Sequence, residues 1–174
     1  MLFLIVLVIG VGSIFIIRYS SQKLAYVRSS ELVSKYKGMQ EASALYKEKM
    51  AKWQANIDTL EVDYQRSVGK YNLEFSKLSA TSRKESQESL QKQRQNIQQY
   101  VKTLDEKARE EDEKMTVGVI NQINSFVESY GKDNGYDFIF GTTQDGNILY
   151  GSKGKDITED IITALNNSYK NDKK

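Results

Sequence analysis

The 174-residue chain contains no cysteine, no histidine and no proline. Without cysteine there can be no disulfide and no thiolate nucleophile, and without histidine the imidazole base and the commonest zinc ligand are missing. Carboxylate chemistry remains, but no glycine-rich phosphate loop, nucleophile elbow or metal-ligand spacing accompanies it. The sequence therefore gives no reason to expect an enzyme, a metal or a cofactor. A cysteine-free chain suits an oxidising compartment, where a stray thiol is a hazard. The missing proline has a structural consequence, because proline breaks helix interiors and a chain without it can run long helices unbroken. Net charge is also small, 25 Lys+Arg against 23 Asp+Glu, so no general pull on nucleic acid is expected.

The first segment is short of charge. Leu2 to Ile17 are 16 residues with no ionisable side chain, interrupted only by Gly10, Gly12 and Ser13. A bilayer crossing wants about 20 apolar residues and can use about 17. Residues 1–22 are therefore expected to be an N-terminal apolar helix, either a membrane anchor or a signal segment. A cleavage at Gly10-Val11-Gly12 would leave Ile14 to Ile17 just beyond it, so the uncleaved anchor fits the apolar length better. Arg18, Lys23 and Arg28 follow the run. Taken alone, those flanking cations would hold the rest of the chain in the cytoplasm.

From Lys37 to Tyr130 the sequence is polar and periodic. Met50, Trp53, Ile57, Leu60, Tyr64, Val68, Tyr71, Phe75 and Leu78 follow one another at intervals of three and four, the a/d spacing of a coiled-coil seam. Ser79-Ala80-Thr81-Ser82 interrupts the pattern with residues that favour caps and turns, and Ser82 with Glu85 reads as a capping box. The apolar stripe resumes at Leu90, Ile97, Val101, Leu104, Ala108 and Met115. Two long helices separated by a short polar break fold back as an antiparallel hairpin, here an arm over residues 37–130 with its tip near 79–83. Between Gln65 and Leu104 eight cations stand against three carboxylates, whereas Asp105 to Lys114 hold six carboxylates and three cations. The distal arm is thus basic and part of its root acidic, which suits weak capture of acidic chains or anionic lipid.

The helical pattern fails in three short stretches. Leu24-Ala25-Tyr26-Val27 reads as a strand, with a short helix completing residues 23–36. Gly131 offers a helix C-cap, and Asn134-Gly135 a turn. Tyr136 to Thr142 and Asn147 to Gly151 read as two strands of a β-hairpin about Asp145-Gly146. Asp156 and Glu159 can cap a last helix, so that residues 131–169 form hairpin and helix and 170–174 a polar tail. Three short strands are too few to stand alone, and open strand edges invite another chain. The fold class expected is α+β, mostly α: a long antiparallel coiled-coil hairpin on a small β-containing oligomerisation base. Ala25, Val27, Phe138, Phe140, Ile148 and Tyr150 are the expected base residues.

The order of these elements, with Met50-Ala-Lys-Trp-Gln54, Gly135-Tyr-Asp-Phe-Ile-Phe140, Ile148-Leu-Tyr-Gly151 and Asp156-Ile-Thr158, resembles the OmpH/Skp family of periplasmic chaperones over roughly Lys23 to Tyr169. Arg28 departs from the acidic residue often found there in the family. The resemblance implies a homotrimer whose strands form a central body. Its hairpin arms would hold unfolded outer-membrane proteins without ATP, in the periplasm, either free or tethered to the inner membrane through the apolar segment. Client contact would come from Tyr64, Tyr71, Phe75, Leu90, Ile97 and Tyr100, with charge from Arg83, Lys84, Lys92 and Arg94. The alternative is a membrane-anchored coiled-coil tether, a stalk or division-type scaffold. Its weakness is that a strut has no use for terminal strands.

Overall fold

The computed structural model describes residues 22–143 and 146–171. The expected apolar helix therefore lies outside the described residues. No helix among those described is long and apolar enough to cross a membrane. The described elements are β1 (Leu24–Arg28), α1 (Ser29–Lys35), α2 (Lys37–Glu74), a single 3₁₀ turn (Phe75–Lys77), α3 (Ala80–Asp133), β2 (Phe138–Thr142), a second 3₁₀ turn (Lys153–Lys155) and α4 (Thr158–Asn171). The chain divides into two compact units. Of the described residues, one gathers those up to Gly38 and those from Ile120 onward; the other spans Met39–Val119.

In the first unit β1 and β2 pair in parallel, Leu24 opposite Phe138 through Arg28 opposite Thr142. A parallel pair cannot be joined by a tight turn and needs a long crossover, which here consists of α1, α2 and α3. Alternation along β1 turns Ala25 and Val27 inward, only 3% and 5% exposed. Leu32, Tyr36, Ile123, Ile157, Ile161, Ile162 and Leu165 of the same unit are buried as well. Full burial of a side chain such as Ile161 contributes about 1.5–3 kcal/mol, so this small core rests on very few residues. Tyr36 ends α1 with extended backbone, sets its ring edge-on to Tyr169 at 5.4 Å and donates its hydroxyl to Gln122 at 3.0 Å. A Cβ on Gly38 would fall 2.4 Å from that ring, so only glycine permits α2 to start there. Asn166 ties the same junction, accepting from the Lys37 amide (2.8 Å) and donating to the Lys35 carbonyl (3.1 Å).

Several sequence expectations need correction. No third strand forms at Asn147 to Gly151. Asn147 instead folds back on the end of β2, accepting from the Thr143 amide at 3.0 Å and donating to the Gly141 carbonyl at 2.7 Å. That side-chain turn consumes the backbone groups a hairpin would have started from. The second neighbour of β1 is the segment at Asp156, through a parallel bridge at Tyr26 and the Ile157 amide donating to the Tyr26 carbonyl at 3.0 Å. The small sheet is thus two-stranded and parallel, not a hairpin with a third strand. Gly131 does not end α3. The helix runs on to Asp133, and the Tyr136 and Gly135 amides bond back to the carbonyls of Gly131 (2.9 Å) and Lys132 (3.2 Å), with Gly135 in the left-handed region at φ 67°. This is the paired C-cap that glycine supports. Gly131 lets β2 close in, since a Cβ there would meet Ile139 at 3.3 Å.

The start of α4 also differs. Glu159 does not complete a box with Asp156 but pairs with Lys35 at 2.7 Å. Asp156 accepts from the Thr158 amide (3.0 Å) and hydroxyl (2.5 Å) and pairs with Arg28 at 3.1 Å. Thr158, fully buried, accepts in turn from the Arg28 amide at 2.9 Å. Burial pushes the Asp156 carboxyl up, but the two Thr158 hydrogen bonds and the Arg28 charge outweigh it and hold it below the ordinary carboxylate range. A carboxylate with a depressed folded pKa stabilises the fold above its unfolded value and loses that contribution as the pH falls through the folded one. Asp156→Asn keeps the acceptor and removes the charge. It should lower stability at pH 7 by about 1 kcal/mol, and urea titrations of the two proteins should converge below about pH 4.

Candidate functional site

In the second unit the long helices start and stop on local rules. Helix α2 has 38 residues and α3 has 54, about 57 Å and 81 Å at 1.5 Å per residue. The turn between them is tighter than expected. Helix α3 begins at Ala80, because the Ser79 hydroxyl accepts from the Ser82 amide at 3.1 Å and its carbonyl from the Arg83 amide at 2.9 Å. Ser79 is therefore the N-cap, three residues before the expected one, and Ser82 lies inside the first turn. Across the turn the Arg83 Nε donates to the Phe75 carbonyl at 3.0 Å, and its guanidinium lies 4.2 Å from the Phe75 ring centroid. Phe75 in turn meets Tyr71 edge-to-face at 5.6 Å.

Further along, the Tyr46 hydroxyl donates to the Ala108 carbonyl at 3.2 Å. Lys49 pairs with Glu111 at 2.7 Å and lies 5.4 Å from the Trp53 ring centroid, and the hydrogen bond from Lys49, helped by its charge, holds Glu111 below its usual value. These polar clips join the two helices far from the turn. Two gaps open in the seam. One, about 380 Å³, is lined by Tyr71, Leu78 and Leu90 with Glu74 and Glu85. The other, about 520 Å³, is lined by Tyr64, Val68, Arg94 and Ile97. Tyr64 and Tyr71 are seven residues apart on one helix, and Ile97 and Leu90 seven apart on the other, as an antiparallel heptad register requires.

The structure divides the expected contact residues into groups. Tyr71 and Leu90 share one gap, Tyr64, Ile97 and Arg94 the other. Tyr100 is half-buried on α3, while Lys84 and Lys92 are exposed. Phe75 and Arg83 are brought together, with Arg83 acting as the staple of the turn. The serines and glutamines of the first gap, such as Ser86, Ser89 and Gln93, were not singled out from the sequence. Their signal was present as the lapse of large aliphatics between Leu78 and Ile97.

The expected base residues also separate. Ala25 and Val27 belong to the buried intrachain core, whereas Phe138 and Phe140 are 54% and 45% exposed. The two rings stack at 5.8 Å on one face of β2, beside Leu24 and Tyr26 of β1 in the paired register. Leu149 and Tyr150 are 93% and 86% exposed, and Ile148 is half-buried. An apolar face of this kind on so small a unit marks an interaction surface. Among the described residues no cluster of acidic side chains could hold a metal.

The family model described as outer membrane protein (OmpH-like) matches residues 23–165. No curated protein matches the chain. Among solved structures, a candidate outer membrane chaperone (OmpH-like) from Caulobacter crescentus CB15 superposes with a TM-score of 0.77 at 11% identity, covering 86% of each chain. At that identity the likeness shows a shared fold.

Arg83→Gln should loosen the turn while leaving the first unit intact. Amide exchange over Phe75 to Glu88 should quicken about tenfold, for a loss of roughly 1.4 kcal/mol in hydrogen bond and ring contact, with unchanged protection in β1 and α4.

Proposed function

The chain belongs to the OmpH-like family, and on that footing we propose that it is an ATP-independent holding chaperone for unfolded outer-membrane proteins, working in the periplasm as a homotrimer. Residues 1–22 supply its export signal or its membrane anchor. The observation that carries the reading is the unfinished seam of the helical pair: two gaps with apolar side chains at their floors, within a stretch of eight cations and three carboxylates. A coil serving as a strut gains by closing such gaps, because close packing is what stabilises it. A holder of varied unfolded chains gains by leaving them open, since many weak, adaptable contacts suit many clients. Holding then needs no energy source, because binding the unfolded client lowers its free concentration by mass action.

The trimer reading is supported by the stacked Phe138 and Phe140 and by the outward Leu149 and Tyr150. Sister subunits would cover them and pair with the outer edge of β2. Phe138→Glu with Phe140→Glu should shift the native mass from three chains to one. A single-chain mass for the unmodified protein would overturn the trimer.

Diluting a urea-unfolded outer-membrane β-barrel protein into buffer containing the chain should give little light scattering, against heavy scattering without it. Undiminished scattering would reject the chaperone reading in favour of a tether. Reversing Lys84, Lys92 and Arg94 to glutamate should weaken capture of an acidic client about tenfold at low salt. The loss should shrink above roughly 0.3 M salt as screening removes the difference. Arg83 is best left out of that set because it holds the turn.

A further inference from the structure

Of the ten asparagines in the chain, Asn134 alone is followed by glycine. That order matters chemically. The nitrogen of the following residue can attack the asparagine side-chain carbon, and glycine puts no side chain in its way. Asn134 and Gly135 are exposed, so burial does not shield them. Hydrogen bonds do. The Asn134 Nδ2 donates to the Tyr130 carbonyl at 2.8 Å, which holds the carboxamide against the preceding helical turn. The peptide group between the two residues is gripped on both sides. Its N–H, on Gly135, donates to the Lys132 carbonyl at 3.2 Å, and its carbonyl, on Asn134, accepts from the Lys23 Nζ at 2.7 Å. Lys23 is itself fixed. Its amide donates to the Asp137 carboxylate at 2.6 Å, its carbonyl accepts from the Asp137 amide at 3.0 Å, and its ammonium lies 4.0 Å from the Tyr136 ring centroid.

We propose that Asn134 is a site of spontaneous deamidation and that this clasp gates it. In the closed cap the attacking nitrogen and the carboxamide each have another partner. When the cap opens, the Gly135 nitrogen gives up its proton and bonds to the Asn134 Cγ. The Cγ–Nδ2 bond breaks, and Nδ2 leaves as ammonia with a proton in place of its bond to carbon. Water then opens the cyclic imide, its hydroxyl going to one of the two carbonyl carbons and its proton to the nitrogen. No co-reactant other than water is required. Opening at one carbonyl gives aspartate. Opening at the other gives isoaspartate, whose main chain runs through Cγ and is one methylene longer. That methylene falls between the end of α3 and the start of β2, and it shifts the Gly135 amide from the spacing that reaches Lys132. The aspartate form sets a carboxylate beside the Tyr130 carbonyl at a helix C-terminus, where negative charge is disfavoured. Either product weakens the cap. Deamidation thus turns a transient opening of the base into a lasting one and leaves a covalent record of the time spent open.

The test ages the full chain at neutral pH and follows its tryptic peptide 133–153 by mass spectrometry with fragmentation. The same peptide holds Asn147, whose branched neighbour Ile148 crowds the attack, so it supplies an internal reference. Asn134 should deamidate about thirtyfold more slowly in the native chain than in the urea-unfolded one, the equilibrium cost of opening two hydrogen bonds. Lys23→Gln keeps the main-chain bonds to Asp137. It should quicken the native rate about fivefold with an unchanged circular dichroism spectrum and an unchanged rate in urea. Lys23→Arg, which still donates to the Asn134 carbonyl, should stay near the rate of the unmodified chain. Aged chain carrying isoaspartate, separated chromatographically, should exchange the amides of Phe138–Thr142 about tenfold faster. No modification at Asn134 in the unfolded chain overturns the site. Equal rates in native and unfolded chain, or a native rate indifferent to Lys23→Gln, overturn the gating. Unchanged exchange in β2 after modification overturns the lasting opening. The comparison of native with unfolded chain uses no substitution, so it decides the gating even where Lys23→Gln disturbs the fold.

Discussion

The parallel pairing of β1 with β2 is the constraint on which the rest depends. Two strands of five residues can pair in parallel only if the chain that leaves at Arg28 comes back to Phe138 in matching register. Everything between them is therefore a closed loop, and the loop is two long helices. The chain has to reverse within that loop, so the local devices that stop and start helices matter. The Ser79 cap, the Arg83 staple and the paired amides at Gly135 each set an end point.

The strand β1 is held on its other side as well. The Tyr26 carbonyl accepts from Ile157, and the Arg28 amide donates to the buried Thr158 hydroxyl. Around that crossing, Arg28, Glu31, Lys35, Asp156 and Glu159 form a chain of ion pairs. Each exposed pair is worth little on its own. Together they fix the direction in which α4 departs, so that Ile161 and Leu165 reach the core. One face of the two-stranded sheet is covered in this way. The other keeps its aromatic rings in the open, and it is the covered face, not the aromatic one, that holds the single chain together.

The helical pair follows a different logic. Its stripe of apolar residues is continuous enough to set a register, and the polar clips at Tyr46 and Lys49 reinforce it. Yet the stripe is too thin, where serine and glutamine replace leucine, to exclude gaps. Each gap is lined by apolar and charged side chains together. The same small residues that weaken the pair locally make room for something else.

Legibility of the sequence tracked the range of the interactions involved. The strand at Leu24 to Val27, the long helices and the fold-back near Ser79 could all be read, because helical periodicity, alternation and turn chemistry act over a few residues. The extra strand at Asn147 could not be judged the same way. Its composition suits a strand, but Asn147 turns back on Gly141, and the edge of β1 goes to Asp156 from further along the chain. Nor could sequence reveal that Arg83 holds Phe75 or that Glu74 and Glu85 face one cavity, since those meetings depend on two helices being set side by side. By itself the sequence determined which segments are helical, where they reverse and how charge is spread along them, because each is settled between near neighbours in the chain. Tertiary structure alone decided which strands pair, which aromatic rings remain outside and which charges converge, because those outcomes depend on contacts between residues far apart in sequence.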